Sequence, residues 1–222
     1  MQAPSHLILS WYFAESQNLN SGRDRALVAW AGLAPDIDVL AYAGALLYYR
    51  FDKDLAFENV WQQVHHRYTH GLAFVLLTAI VAWMLATKSA HRLRVAVLAT
   101  LASAIHNFFD LVAGGPTWPI YPVWPMSDFK WHASWSWTIG EWPNIVILFA
   151  CLAAMLLYAR YAGRSPLECF GGRADSWLVR VVRQESTQTS SAKDRARRWI
   201  IWTVVALVAI AILAPLGFNP LR

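Results

Sequence analysis

Hydrophobic residues in this chain come in long blocks separated by short polar punctuation, and several blocks approach the length of a bilayer crossing. Trp199 to Gly217 contains no charged residue. Asn144 to Tyr158 is similar but shorter, with Arg160 just beyond it. Gly71 to Thr87 offers 17 uncharged residues, at the lower bound for a helix crossing a hydrocarbon core of roughly 30 Å. Leu93 to Ala113 is long enough, although it carries Arg94, His106 and Asp110. Together the four blocks predict four spanning helices and an all-α fold, a polytopic helical bundle in a membrane.

The amino-terminal third predicts broken or partial helices. Ala26 to Tyr49 is apolar and of spanning length, yet Pro35, Asp36 and Asp38 interrupt its middle. Proline removes a helix hydrogen bond and disfavours helix in the residue before it, so two half-length helices are expected to meet at a Pro-Asp turn. His6 to Ala14 predicts a further partial helix, turning at Asn18-Leu19-Asn20-Ser21-Gly22. No secretory signal peptide is expected, because the first five residues carry no Lys or Arg.

Composition agrees with a membrane protein: 57% of residues are hydrophobic, 15% are charged and 13 are Trp. The net charge of +5 is unevenly spread. The link from Lys88 to Arg94 holds Lys88, Arg92 and Arg94, with His91 solvated beside them. The link from Gly163 to Arg198 holds eight Lys/Arg against four Asp/Glu, whereas Gly114 to Pro143 holds only Lys130. The positive-inside tendency puts both basic links in the cytoplasm and the loop 114–143 outside. The expected organisation is a membrane-embedded domain over 1–162, a basic link over 163–198 and a carboxy-terminal spanning helix within 199–222. Within the link, Ala174 to Glu185 predicts an amphipathic helix lying on anionic lipid. Four acidic residues dilute its basic character, and no nucleic-acid recognition motif accompanies it. Cys151 and Cys169 suggest neither a disulfide nor a zinc motif.

Candidate chemistry sits in four clusters at the ends or breaks of the apolar blocks: His6, Pro35-Asp36-Ile37-Asp38, His65-His66-Arg67-Tyr68-Thr69-His70, and His106 to Asp110. Ionisable groups in such places are expensive and usually functional. His66 and His70 are four apart, as are His106 and Asp110, so on α-helices each pair shares a face and can grip one cation. Imidazole with carboxylate and no thiolate suits zinc, with manganese or iron next, better than calcium. Plainer roles exist for each residue. His6 can be an interfacial histidine, Asp36 and Asp38 can cap the helix from Val39, and Arg67 can meet lipid phosphate. Asn107 can pack helices, and His65 is expected to face away from His66. The loop 114–143 holds six Trp (118, 124, 131, 135, 137 and 142), which reads as an aromatic belt. It also reads as a lid, in which His132 or Glu141 adds a ligand or proton carrier.

The order His6, Pro35-Asp36-Ile37-Asp38, His66-Arg67-Tyr68-Thr69-His70, His106 to Asp110 and Tyr121-Pro122-Val123-Trp124-Pro125 resembles the YdjM-like family of bacterial inner-membrane proteins, over roughly Met1 to Ser127. Those proteins are described as LexA-regulated, metal-dependent hydrolases, grouped with the zinc-dependent phospholipase C and single-strand nuclease superfamily. The resemblance implies His6, Asp36, Asp38, His66, His70, His106 and Asp110 as ligands of one or more divalent cations. The later HxxxE of the soluble phospholipases has no counterpart, since Glu141 lies nine residues after His132.

The expected function is an inner-membrane hydrolase of ester or phosphoester bonds in a lipid-like substrate near the outer face. Asp36 or Asp38 would serve as general base, and Arg67 as a clamp for a phosphate or carboxylate. Two alternatives stand beside it. One is a transporter in which the same residues line a path for metal or protons, and the other is a non-catalytic membrane protein with a structural cation.

Overall fold

The structure, a computed structural model, describes residues 1–87, 91–116 and 118–183. The helix expected over Trp199 to Gly217 lies outside the described residues, as do Lys88 and the basic link beyond Arg183. Two compact units divide at Ile139/Gly140. Among the described residues helix is the regular structure of both, and Ile120 and Trp131 form an isolated antiparallel bridge.

In the first unit α1 runs Ala3–Ser16, with Pro4 in its first turn, where a missing N–H costs nothing. Helix α2, Gly22–Leu33, starts at Ser21, whose hydroxyl accepts the Asp24 N–H at 3.3 Å. A 3-10 segment, Ala34–Asp38, then leads into α3, Val39–Tyr48. The expected turn between two half-helices is therefore absent. Pro35 begins a new helical segment, its fixed φ is already helical, and Gly22–Tyr48 forms one helical run of 27 residues.

A second helical stretch runs Lys53–Thr69 and bends by 66° into α5, Leu72–Leu85. It opens with a short helix α4, Lys53–Ala56, and widens to π-helix at Phe57–Trp61 and again at Val64–Thr69. Gly71 makes the bend possible, because a Cβ there would sit 2.8 Å from the Arg67 carbonyl oxygen and 3.1 Å from that of Trp124. The aromatic loop satisfies the first N–H groups of α5, which have no helical partner: Leu72 donates to Pro122 at 3.0 Å and Ala73 to Trp124 at 3.3 Å. Helix α6, Arg92–Ala113, completes the unit.

The core is built of α1, α2, α5 and α6 around Val28, Val95, Ala31, Ala99 and Ala102. Small side chains let these helices approach closely, the usual means of packing where lipid supplies no hydrophobic drive. Buried Asp24 fastens α2 to the end of α5, accepting the Thr87 N–H at 3.0 Å and its hydroxyl at 2.8 Å. On the outer side of α5, Leu76, Ile80 and Met84 are 50–63% exposed at four-residue spacing, a stripe suited to lipid.

The second unit, described from Gly140 to Arg183, contains α7, Trp142–Ala162, and α8, Gly172–Arg183. A left-handed Gly163 (φ +71°) closes α7. Gly22–Tyr48, Arg92–Ala113 and Trp142–Ala162 are long and apolar enough to cross a membrane. Lys53–Leu85 makes a fourth if its bent halves act as one span.

Gly32 marks a close crossing of α1 and α2, since a Cβ there would overlap the Ser10 side chain. Gly32→Val is expected to lower stability by about 1–3 kcal/mol through overpacking. Thermal unfolding of the purified protein in detergent would show a reduced midpoint, while Gly44→Val, where a Cβ meets nothing within 4 Å, leaves it unchanged.

Candidate metal centre

Helix α6 supplies the foundation. His106 and Asp110 lie one turn apart, as their spacing predicts, with His106 Nε2 3.2 Å from Asp110 Oδ2. The other ring nitrogen, Nδ1, donates to the Gly32 carbonyl at 2.7 Å. That bond places the proton on Nδ1 and leaves a lone pair on Nε2, turned inward. The same Gly32 that lets α1 and α2 close up thus aims a carbonyl at His106.

His70, at the break before α5, mirrors this arrangement. Its Nδ1 lies 3.0 Å from the Thr69 hydroxyl, which itself lies 3.3 Å from the carbonyls of Val64 and His65. With the hydroxyl donating to a carbonyl, His70 Nδ1–H donates to the hydroxyl, and Nε2 again carries a lone pair. The two Nε2 atoms face each other at 3.2 Å, and His70 Nε2 lies 3.3 Å from Asp110 Oδ2. Asp36 brings Oδ1 to 3.6 Å from His106 Nε2, while its Oδ2 is buried and unpartnered.

Four acceptor atoms, from Asp36, His70, His106 and Asp110, therefore converge on one point, and the last three residues are buried. Acceptors do not attract one another, so the arrangement calls for a shared cation or extra protons. Its dimensions favour the cation: ligands about 2.0–2.1 Å from a tetrahedral zinc stand about 3.4 Å apart. Four of the six separations are 3.2, 3.2, 3.3 and 3.6 Å, close to that spacing, and all four atoms lie within 4.8 Å of one another. The residues present could hold a metal ion.

His6 supports the centre from α1. Its Nε2 lies 2.9 Å from Asp110 Oδ1 and its ring stacks on His106 at 3.7 Å. The Met1 amino nitrogen also contacts Oδ1, which leaves Oδ2 to the cluster. Asn107 donates to the His70 carbonyl at 3.0 Å, fixing the backbone of that break.

A second group joins Asp38, His65 and His70. Here the expected pairing of His66 with His70 is not found. In a π-helix the hydrogen bonds run from i to i+5 and the turn is wider than in an α-helix. His65 and His70 accordingly come together, with ring centroids 4.0 Å apart, and His66 swings away. His65 Nδ1 contacts Asp38 Oδ2, and its Nε2 accepts from Trp118 Nε1 at 3.3 Å. His66 Nδ1 instead contacts the Pro119 carbonyl, outside both groups. Arg67 also lies apart: it reaches Asp128 at 3.4 Å and stacks over Tyr121 at 4.8 Å. His132 and Glu141 are exposed.

A cavity of about 320 Å³ opens onto the centre, lined by Asp36, Asp38 and Asp110 on one side and by Val39, Trp61 and Trp118 on another. Trp118, in the loop expected to form an aromatic belt or a lid, and His65, expected to face away from His66, both border this cavity. Only the widening of the helix decides the latter, and no residue pattern announces it.

Helices of spanning length around a buried His/Asp cluster define a multi-pass membrane protein equipped to hold a cation. The chain matches the YdjM inner membrane protein family over residues 1–220 and belongs to it. The kinship extends well beyond the expected Met1–Ser127 and takes in the basic carboxy-terminal region. No curated protein and no solved structure matches the chain.

Elemental analysis of purified protein checks the centre. His70→Ala and Asp110→Ala are expected to lose bound metal, and His66→Ala to keep it. Thr69→Val, which removes the hydroxyl that orients His70, should weaken affinity by about 10–100-fold. Parent-like metal content in Asp110→Ala would refute the assignment.

Proposed function

We propose that the chain is a metal-dependent hydrolase of the inner membrane, acting on an ester or phosphoester bond of a lipid-like substrate. The observation that carries this reading is the convergence of Asp36, His70, His106 and Asp110 beside an open cavity. A divalent cation there supplies Lewis acidity and a water acidified to near neutral pH. The protein's own groups fill the remaining roles. Gly32 and Thr69 orient the imidazoles. Asp36 Oδ2, buried and unpartnered, is placed to accept a proton from a water.

The cavity wall narrows the substrate. No Lys or Arg is among its lining residues, and three carboxylates are. Arg67, expected as an anion clamp, engages Asp128 and Tyr121 and is not among the lining residues. Met1 also lines the cavity but its amino group is engaged by Asp110, so negative charge on a substrate is met mainly by the cation, which favours carboxylic esters and singly charged phosphodiesters over phosphomonoester dianions. Val39 lines the cavity and is itself 59% exposed, next to Leu40 at 67%. Apolar exposure at the rim suits a substrate arriving sideways from the bilayer. The Lys/Arg bias supports a centre towards the outer face.

Purified protein in detergent, loaded with zinc, is expected to turn over a lipid carboxylic ester or phosphodiester faster than the matching phosphomonoester. Chelation should abolish turnover, zinc should restore it, and Asp110→Ala should show none. A metal-loaded parent inactive across all three bond types counts against the proposal.

A further inference from the structure

Away from the His/Asp centre, the most polarised surface lies on α8. Its buried side chain is Leu178, whereas Arg173, Ser176, Arg180 and Arg183 are exposed. Steps of three, four and three residues put these four on one helix face.

The position of that face is set by α7. At the start of α8, Asp175 accepts the Ser165 N–H at 2.6 Å and its hydroxyl at 2.7 Å. At its end, Arg183 Nε donates to the Arg160 carbonyl at 2.9 Å, and a terminal guanidinium N–H to that of Tyr161 at 3.4 Å. Both ends of α8 are thus tied to the segment where α7 finishes. Helix α7 has 21 residues, so at 1.5 Å per residue it crosses roughly 31 Å, about one hydrocarbon core. Its last turn falls at the headgroups, and α8 is held there with it.

Arg183 is occupied with carbonyls, but Arg173 and Arg180 form no ion pair among the described residues. Together with Gly172, Ser176 and Trp177 they line an open concavity. Guanidinium groups bind phosphate oxygens in a fork, and Trp favours the headgroup layer.

We infer that this face of α8 is a docking surface for the headgroups of anionic phospholipids in the leaflet where α7 ends. Arg173 and Arg180 hold the phosphate oxygens, Ser176 offers its hydroxyl, and the Trp177 ring lies among the headgroups. Charge complementarity selects the lipid: a zwitterionic headgroup offers the same phosphate but adds a cation that two arginines repel.

The experiment titrates the full chain, purified in detergent, with short-chain phosphatidylglycerol and, in parallel, phosphatidylcholine. The parent is expected to prefer phosphatidylglycerol. Arg173→Gln and Arg180→Gln should each reduce that preference about fivefold, and the double variant about thirtyfold, given the surface attraction per basic residue. Raising the salt concentration should erode the parent's preference in the same direction. Equal affinity of the parent for both lipids overturns the inference. So does a preference unchanged in the double variant, or inorganic phosphate displacing the lipid at equal concentration. If the double variant does not fold, the single variants and the salt series decide: a preference flat with salt also overturns it.

Discussion

Asp110 is a carboxylate near the end of a 22-residue apolar helix, only 4% exposed, and its neutralisation is the constraint on which the rest of the first unit depends. An unpaired charge buried this far is untenable. The chain answers on Oδ1 with the Met1 amino nitrogen and His6 of α1, while His70, at the break before α5, and His106, one turn earlier in α6, turn their Nε2 atoms to Oδ2. Each of these contacts draws a different part of the chain to the same place. The polar cluster therefore acts as an organising joint for helices whose lipid-facing surfaces specify little about how they should meet.

The joint needs acceptors with their lone pairs turned inward, and the backbone around it secures that. A carbonyl from Gly32 holds one proton of His106 outward, and the Thr69 hydroxyl does the same for His70. Neither Gly32 nor Thr69 resembles a site residue in isolation. Their effect is to exclude the tautomer in which each imidazole would satisfy Asp110 with its own N–H. The inward-facing lone pairs of the cluster thus come from residues that lie outside it.

Regular periodicity fails where the chemistry is densest. The π-helical turn at Val64–Thr69 replaces the i→i+4 hydrogen-bond register with a wider i→i+5 one, bringing in His65 and releasing His66. A π-turn is costly as local structure, and such turns occur frequently at functional sites. Here its partners are tertiary: Trp118 and Pro119 of the aromatic loop meet His65 and His66, and the next residues of that loop complete the hydrogen bonding of α5. The loop is thereby a wall of the centre, fastened by backbone bonds that its Trp content does not reveal.

Hydrophobic block length determined, by itself, that the chain is helical and membrane-embedded, because a bilayer admits little else for uninterrupted apolar segments. The four-residue spacing of His106 and Asp110 was equally legible, since an α-helix maps it directly onto one face. The cost of burying Asp36, Asp38 and the histidines pointed to a common centre before any geometry was known. Only the tertiary structure decided which imidazole of His65-His66 joins it and that Arg67 turns to Asp128. It also decided that the Pro-Asp interruption continues as a 3-10 segment rather than a turn. These outcomes rest on contacts between segments tens of residues apart, and such contacts override local repeat and propensity because no single segment contains both partners.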